Sequence, residues 1–266
     1  MRGMKLGFIG AGNMATAILD GVVGKDLAWP EGIYISNPHP EKLEYPKSLG
    51  VHTTQDNAQV AAAADLIILA VKPQKFEEVL PGIAEHVAGK CVVSIAAGIS
   101  TDYLKSRLPG AYVVRVMPNT PLQLGMGATA IAQAPNVPEF YFRAVCDIFA
   151  AAGLTAVIPE SQMDAVIPVS GSSPAFFFRM AAAMTRWAGE QGMDEDLALQ
   201  LCAATMAGAA EMLLSSGKSA QVLTDQVCSP GGTTLAALTA FDERDFEGLI
   251  SDAMTRCAQR SKELGK

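Results

Sequence analysis

Lys5-Leu-Gly-Phe-Ile-Gly-Ala-Gly-Asn-Met-Ala15 decides the fold of this chain. Residues Lys5 to Ile9 read as a short apolar strand, and Gly10-Ala-Gly-Asn-Met-Ala15 turns it into a helix that runs to about Val23. Strand, glycine-spaced loop and helix in that order are the setting in which Gly-x-Gly-x-x-Ala binds a dinucleotide. Gly10 makes the tight turn, Gly12 lets a pyrophosphate reach the backbone, and Ala15 permits close packing of helix on strand. The helix opens with unpaired amides and the positive end of its dipole, both of which attract phosphate.

Outward from this stretch, short strands alternate with helical segments. Further strands are predicted at Gly32 to Ser36, Asp65 to Val71, Cys91 to Ile95, Tyr112 to Met117 and Thr155 to Ile158. Near-continuous apolar runs such as Leu66-Ile-Ile-Leu-Ala-Val71 suit a sheet covered on both faces. The pattern predicts an α/β protein whose residues 1–159 form a Rossmann-type doubly wound sheet. After about Pro159 the strand signals cease. Residues 160–266 are predicted to be all-helical, with helices at Ala175 to Gln191, Glu195 to Ser215, Thr233 to Ala240 and Asp245 to Leu264. The second of these is small or apolar on almost every face and must be surrounded, which points to a homodimer.

The bulk properties narrow the function. Half of the 266 residues are apolar and the net charge is −7 without a block of like charges, which argues against a nucleic-acid surface or a basic membrane anchor. The most apolar runs, Ala61 to Val71 and Ala175 to Ala188, are short or interrupted by charge, so no membrane span is expected. The chain enters its first strand directly, without a leader, and a cytoplasmic location is the default expectation. Cys91, Cys146, Cys202, Cys228 and Cys257 lack metal or redox spacing, and His39, His52 and His86 lie far apart. No metal site is expected.

The second strand ends in Ile35-Ser36-Asn37-Pro38, where an NAD-preferring fold usually carries an acid for the ribose 2′-hydroxyl. Ser36 and Asn37, with His39 or Lys42 nearby, suit a 2′-phosphate instead. A plain Ser-Asn-Pro turn reads equally well there, so NADPH is favoured and NADH stays the alternative donor. Ala70-Val-Lys-Pro73 and Ala96-Ala-Gly98 also fall at the carboxyl ends of parallel strands, where ligands bind in such folds. In the helical half, Asp225-Gln-Val-Cys-Ser-Pro-Gly-Gly-Thr-Thr234 breaks two helical runs. Taken alone it is an ordinary interhelical turn capped by Ser229 or Thr233. Its glycines, its hydroxyls and the helix that opens at Thr233 or Thr234 equally describe an anion site.

With these pieces in order, the sequence resembles the pyrroline-5-carboxylate reductases nearly end to end. The likeness is carried by Phe8 to Ala15, Leu69-Ala-Val-Lys-Pro-Gln74, Ser94-Ile-Ala-Ala-Gly-Ile99, Arg115-Val-Met-Pro-Asn-Thr-Pro121 and Asp225 to Thr234, the last being the most specific. The resemblance implies reduction of 1-pyrroline-5-carboxylate to L-proline, the last step of proline biosynthesis. It implies that Ile9, Gly10, Ala11, Gly12, Asn13, Met14, Asn37, Asn57, Ala70, Val71, Lys72, Pro73, Ala96 and Ala97 hold NADPH. It further implies that Val227, Ser229, Gly232, Thr233 and Thr234 bind substrate, with Thr234 in the place of the hydroxyl that meets the pyrroline nitrogen. A dimer built by the C-terminal helices is implied too, in some members assembled into a decamer as a pentamer of dimers. Met126, Ser173 and Cys228 depart from the residues usual in the family.

The residues present suit an imine better than a ketone. A ketone reductase must protonate a poorly basic oxygen and generally presents Lys, His or Tyr beside the hydride path. The C-terminal half has no histidine, and Lys218 lies seven residues before Asp225. An imine binds already protonated and needs chiefly to be positioned. The β-hydroxyacid dehydrogenases share a nucleotide domain followed by helices, but they carry a lysine on the first long helix after it. Here that helix begins Ser173-Pro-Ala-Phe-Phe-Phe-Arg-Met and has none.

Overall fold

The structure, a computed structural model, describes residues 3–265. Its strands are β1 (Leu6–Ile9), β2 (Ile33–Ser36), β3 (His52–Thr54), β4 (Leu66–Leu69), β5 (Cys91–Ser94), β6 (Tyr112–Met117), β7 (Gly127–Ala132) and β8 (Gly153–Ile158). They form one sheet in the order β3-β2-β1-β4-β5-β6-β7-β8. The first six run parallel, β7 returns antiparallel to β6, and β8 pairs parallel with β7. Helices α1 (Asn13–Gly24), α2 (Glu44–Ser48), α3 (Asn57–Ala63), α4 (Phe76–Ile83), α5 (Thr101–Arg107) and α6 (Glu139–Ala150) fall between strands. They are followed by α7 (Met163–Val166), a π-turn (Ile167–Gly171), α8 (Ser173–Glu190), α9 (Glu195–Ser215), α10 (Ala220–Val227), α11 (Thr233–Asp242) and α12 (Phe246–Leu264).

The apolar strands are explained by cover on both faces. Alternate residues of β4 divide between two cores: Leu66 and Ile68 pack with Ile18, Leu19 and Phe149, while Ile67 and Leu69 pack with Val60, Phe76 and Leu104. All four are fully buried. A buried, two-sided sheet needs apolar side chains at every position rather than alternate ones. On β1 the second face carries Gly7 and Ile9, with glycine where α3 lies so close that a Cβ would sit 2.9 Å from Val60 Cγ1 and 2.8 Å from Ala64 Cβ.

Two strands were not predicted. β3 is a three-residue edge strand, His-Thr-Thr, with no apolar side chain to give a signal. β7 reads Gly-Ala-Thr-Ala-Ile-Ala, a composition with little strand propensity, held as a strand by pairing on both sides. The sheet is therefore doubly wound through β6 and extended by a reversed pair.

The chain divides into two compact units, one holding the chain up to Pro174 and again from Cys257, the other Ala175–Arg256. In the second unit the helices bury little: α9 buries Ala198 and Cys202, while Phe177, Met184, Trp187, Leu201 and Leu214 are exposed. Phe177, Met184 and Trp187 are thus surface rather than core residues of a single chain. By length and composition alone α9 is apolar enough to cross a membrane, a property the sequence reading assigned to no segment. Its Ala- and Gly-rich faces reach that hydropathy without any long run of large apolar residues.

Candidate functional site

The carboxyl ends of the parallel strands bring most of the expected cofactor residues to one edge. Backbone hydrogen bonds stitch them together: Gly10 N donates to Ser36 O at 2.9 Å, Ala70 N to Ile9 O at 2.9 Å, and Asn37 N to Thr54 O at 3.2 Å. β1 lies between β2 and β4, so the chain leaves it to one side and later resumes on the other. That reversal opens the crevice where ligands of doubly wound sheets sit.

The loop between β1 and α1 fits a dinucleotide's phosphates. Gly10 has φ +104°, and a Cβ on it would lie 2.7 Å from Ala70 O, so only glycine makes this turn. A Cβ on Gly12 would meet nothing within 4 Å, which leaves the backbone open to a ligand. α3, α5, α9 and α10 are each capped by the side chain that precedes them, Asp56, Ser100, Asp194 and Ser219. α1 has Gly12 as its cap and no side-chain acceptor. Among the described residues nothing accepts from the amides of Asn13, Met14 and Ala15, which an anion would satisfy.

Beside this loop the polar residues hold different positions from those their types suggest. Ser36 is fully buried, and its hydroxyl donates to Asn57 Oδ1 at 2.7 Å. It is therefore engaged with Asn57 and not presented to a 2′-phosphate. Asn37 Oδ1 accepts from His39 N at 3.0 Å, which leaves its NH₂ group to donate. His39 and Lys42 are exposed nearby in the chain. Lys72 is exposed on extended backbone imposed by Pro73, and Ala96 and Ala97 precede Gly98, whose φ is +81°.

The second expected loop lies in the other unit. α10 ends at Val227, Gly231 turns with φ +70°, and Gly232 caps α11 without a side-chain hydrogen bond. The capping by Ser229 or Thr233 that a plain turn would show is absent; the Gly232 amide donates instead to Ser229 O at 2.9 Å. The amides of Thr233, Thr234 and Leu235 and the hydroxyls of Ser229, Thr233 and Thr234 have no partner among the described residues. Three free amides and three free hydroxyls at a positive helix end can take a carboxylate and one further polar atom.

Sequence reasoning missed a buried polar cluster in the first unit. Arg115 Nη2 and Ser261 Oγ both donate to Asp164 Oδ1, each at 2.8 Å. Arg115 is thereby a structural residue, its side chain 6% exposed and its guanidinium engaged by Asp164. Glu160 likewise accepts from Thr101 N at 2.8 Å and from its hydroxyl, at the head of α5. These partners lie 49 to 97 residues apart, and no local pattern announces them.

Comparison with known proteins agrees with this geometry. A family model described as pyrroline-5-carboxylate reductase dimerisation matches residues 160–264, and one described as NADP oxidoreductase, coenzyme F420-dependent, matches residues 5–98. The chain is 39% identical to a pyrroline-5-carboxylate reductase of Methanosarcina acetivorans over the full length of both. With that of Haemophilus influenzae it shares 40% over 97% of each. A crystal structure of Plasmodium falciparum pyrroline carboxylate reductase with NADP bound superposes with a TM-score of 0.92 at 28% identity, covering all of both chains. The glycine loop at one strand edge, the uncapped α11 and full-length identity near 40% lead to one conclusion: the chain belongs to the pyrroline-5-carboxylate reductase family.

Proposed function

We propose that this protein is an NADPH-dependent imine reductase that converts 1-pyrroline-5-carboxylate to L-proline, the last step of proline biosynthesis. The observation that carries the reading is the uncapped head of α11, three free amides and three free hydroxyls in a segment that holds no histidine. A carboxylate-bearing imine suits these groups, because it needs an anion site and a hydrogen bond at nitrogen rather than a strong acid. The Thr233, Thr234 and Leu235 amides bind the carboxylate, and Val227, Ser229 and Gly232 shape the loop around it. Thr234 Oγ1 contacts the ring nitrogen and fixes the face presented for reduction.

NADPH, when bound, supplies the hydride. Gly10 to Met14 hold its pyrophosphate on the head of α1. Ile9, Asn37, Asn57, Ala70 to Pro73, Ala96 and Ala97 line its course along the strand ends. Ser36 belongs to this set through its bond to Asn57. Preference over NADH rests on Asn37, His39 and Lys42 and on the missing acid after Ile35.

A functional division into a cofactor-binding part at 1–159 and a substrate-binding and dimerisation part at 160–266 belongs to the same reading. So does a homodimer, supported by the exposed apolar faces of α8 and α9 and by an open apolar groove of about 900 Å³ between Trp187, Leu201 and Phe241. A partner copy, not a bilayer, then covers α9, and some assemblies of such dimers reach decamers. A cytoplasmic location is consistent with that cover and with a small polar substrate. The test is turnover by the purified protein with 1-pyrroline-5-carboxylate and either NADPH or NADH. A higher kcat/KM with NADPH is expected; a higher value with NADH overturns the cofactor assignment, and turnover of a 3-hydroxy acid but not the imine overturns the reaction.

A further inference from the structure

The loop that follows β5 is weakly held by its own hydrogen bonds. Ile95 N reaches Leu69 O at 3.5 Å and Ala96 N reaches Ser94 Oγ at 3.3 Å, both at the long end of the range. Directly after Ala96 and Ala97 comes Gly98, in a left-handed conformation. What supports it is the last turn of the chain. A Cβ on Gly98 would collide with Ser261 O and lie 3.0 Å from Leu264 Cβ and 3.2 Å from Gly265 N. A Cβ on Gly265 would collide with Gly98 O. Two backbone segments thus touch through two glycines with no side chain between them.

The final turn is itself fixed from behind. Ser261, 3% exposed, donates to Asp164 Oδ1, which also accepts from the buried Arg115 guanidinium. Arg115 stands on β6 in register with Ser94 of β5, the residue that leads into the loop. A buried guanidinium is costly without its carboxylate, so Asp164 is held in place, and Ser261 is anchored to a fixed point.

We propose that this clasp makes the C-terminal turn part of the cofactor-binding machinery. Arg115, Asp164 and Ser261 are positioning residues that press Ser261–Gly265 against Gly98 and so set the backbone of Ala96 and Ala97 that meets the dinucleotide. The inference rests on the assignment of Ala96 and Ala97 to the cofactor.

The experiment is fluorescence titration of NADPH, with steady-state kinetics, on the full-length enzyme and three variants: Ser261→Ala, a truncation after Glu263 that removes Leu264, Gly265 and Lys266, and Ala97→Asp as a probe of the loop. Ser261→Ala and the truncation are each expected to raise the NADPH Kd and KM about three- to tenfold, the scale of one net hydrogen bond. Their kcat at saturating NADPH and KM for 1-pyrroline-5-carboxylate stay within about twofold of wild type, the reading for a change confined to cofactor binding. A purely structural role would lower the unfolding temperature and leave the NADPH Kd unchanged, and that result overturns the proposal. If Ala97→Asp weakens NADPH but neither clasp variant does, the clasp alone is wrong. If Ala97→Asp also leaves the Kd unchanged, the loop does not meet the cofactor and the underlying assignment falls with it.

Discussion

Replacing Thr234 by alanine separates chemistry from folding unusually well in this protein. Thr234 is the second residue of α11, and its hydroxyl has no partner among the described residues, so truncation breaks no hydrogen bond of the free enzyme. Alanine has the higher helix propensity by roughly 0.5 kcal/mol, so the unfolding temperature of Thr234→Ala holds or rises slightly. With substrate bound, the same truncation removes one hydrogen bond to a charged nitrogen, about 1.5–3 kcal/mol. At 1.4 kcal/mol per decade, kcat/KM for 1-pyrroline-5-carboxylate falls roughly 10- to 100-fold. Thr234→Ser keeps the hydroxyl and stays within a fewfold of wild type. The assay is the loss of NADPH absorbance under steady-state conditions, with thermal unfolding in parallel. Wild-type kinetics in Thr234→Ala, or a Thr234→Ser variant as impaired as Thr234→Ala, would refute the role given to this hydroxyl.

Three further outcomes are expected. Ser36→Ala removes the bond that orients Asn57 and should raise the NADPH Kd about three- to tenfold by titration; an unchanged Kd would mean Asn57 does not need that bond to meet the cofactor. Trp187→Glu places a charge on an exposed apolar face of α8, and sedimentation at micromolar concentration should show more monomer than wild type, whereas an unaltered dimer would place the interface elsewhere. Burial pushes the Cys91 thiol from 9.0 up to about 12. Between those values the unfolded chain loses a proton that the native state retains, so stability is intact below pH 9 and declines as pH rises towards 12. Cys91→Ala should show a shallower decline in its urea midpoint over that window, and parallel profiles would contradict this cause.

Local chemistry explains which parts of the molecule could be read from the chain alone. The glycine loop at Gly10 to Ala15 and the strands around it follow from neighbouring residues, and β1, β4, β5 and β6 fall within a residue or two of their predicted places. β7 was hidden because its alanines become a strand only when β6 and β8 flank them. The head of α11 was legible as an anion site or as a capped turn, and only the absent cap separates the two. Ser36 looked like a phosphate ligand by its position after β2, yet in the sheet it points inward to Asn57. For Arg115 a structural role was legible but its partners were not, because Asp164 lies 49 residues away in sequence and Ser261 joins Asp164 only where the last helix re-enters the first unit. The same distance in sequence conceals the brace beneath Gly98.

Transfer of a labelled hydride tests the central claim most directly. Purified protein is given 1-pyrroline-5-carboxylate and NADPH carrying deuterium at the transferable position of the nicotinamide, and the product is analysed by mass spectrometry. The expected product is L-proline with one deuterium on the carbon of the former C=N bond, formed in proportion to the NADPH consumed. Proline without deuterium, or NADPH stable in the presence of the imine, would contradict it.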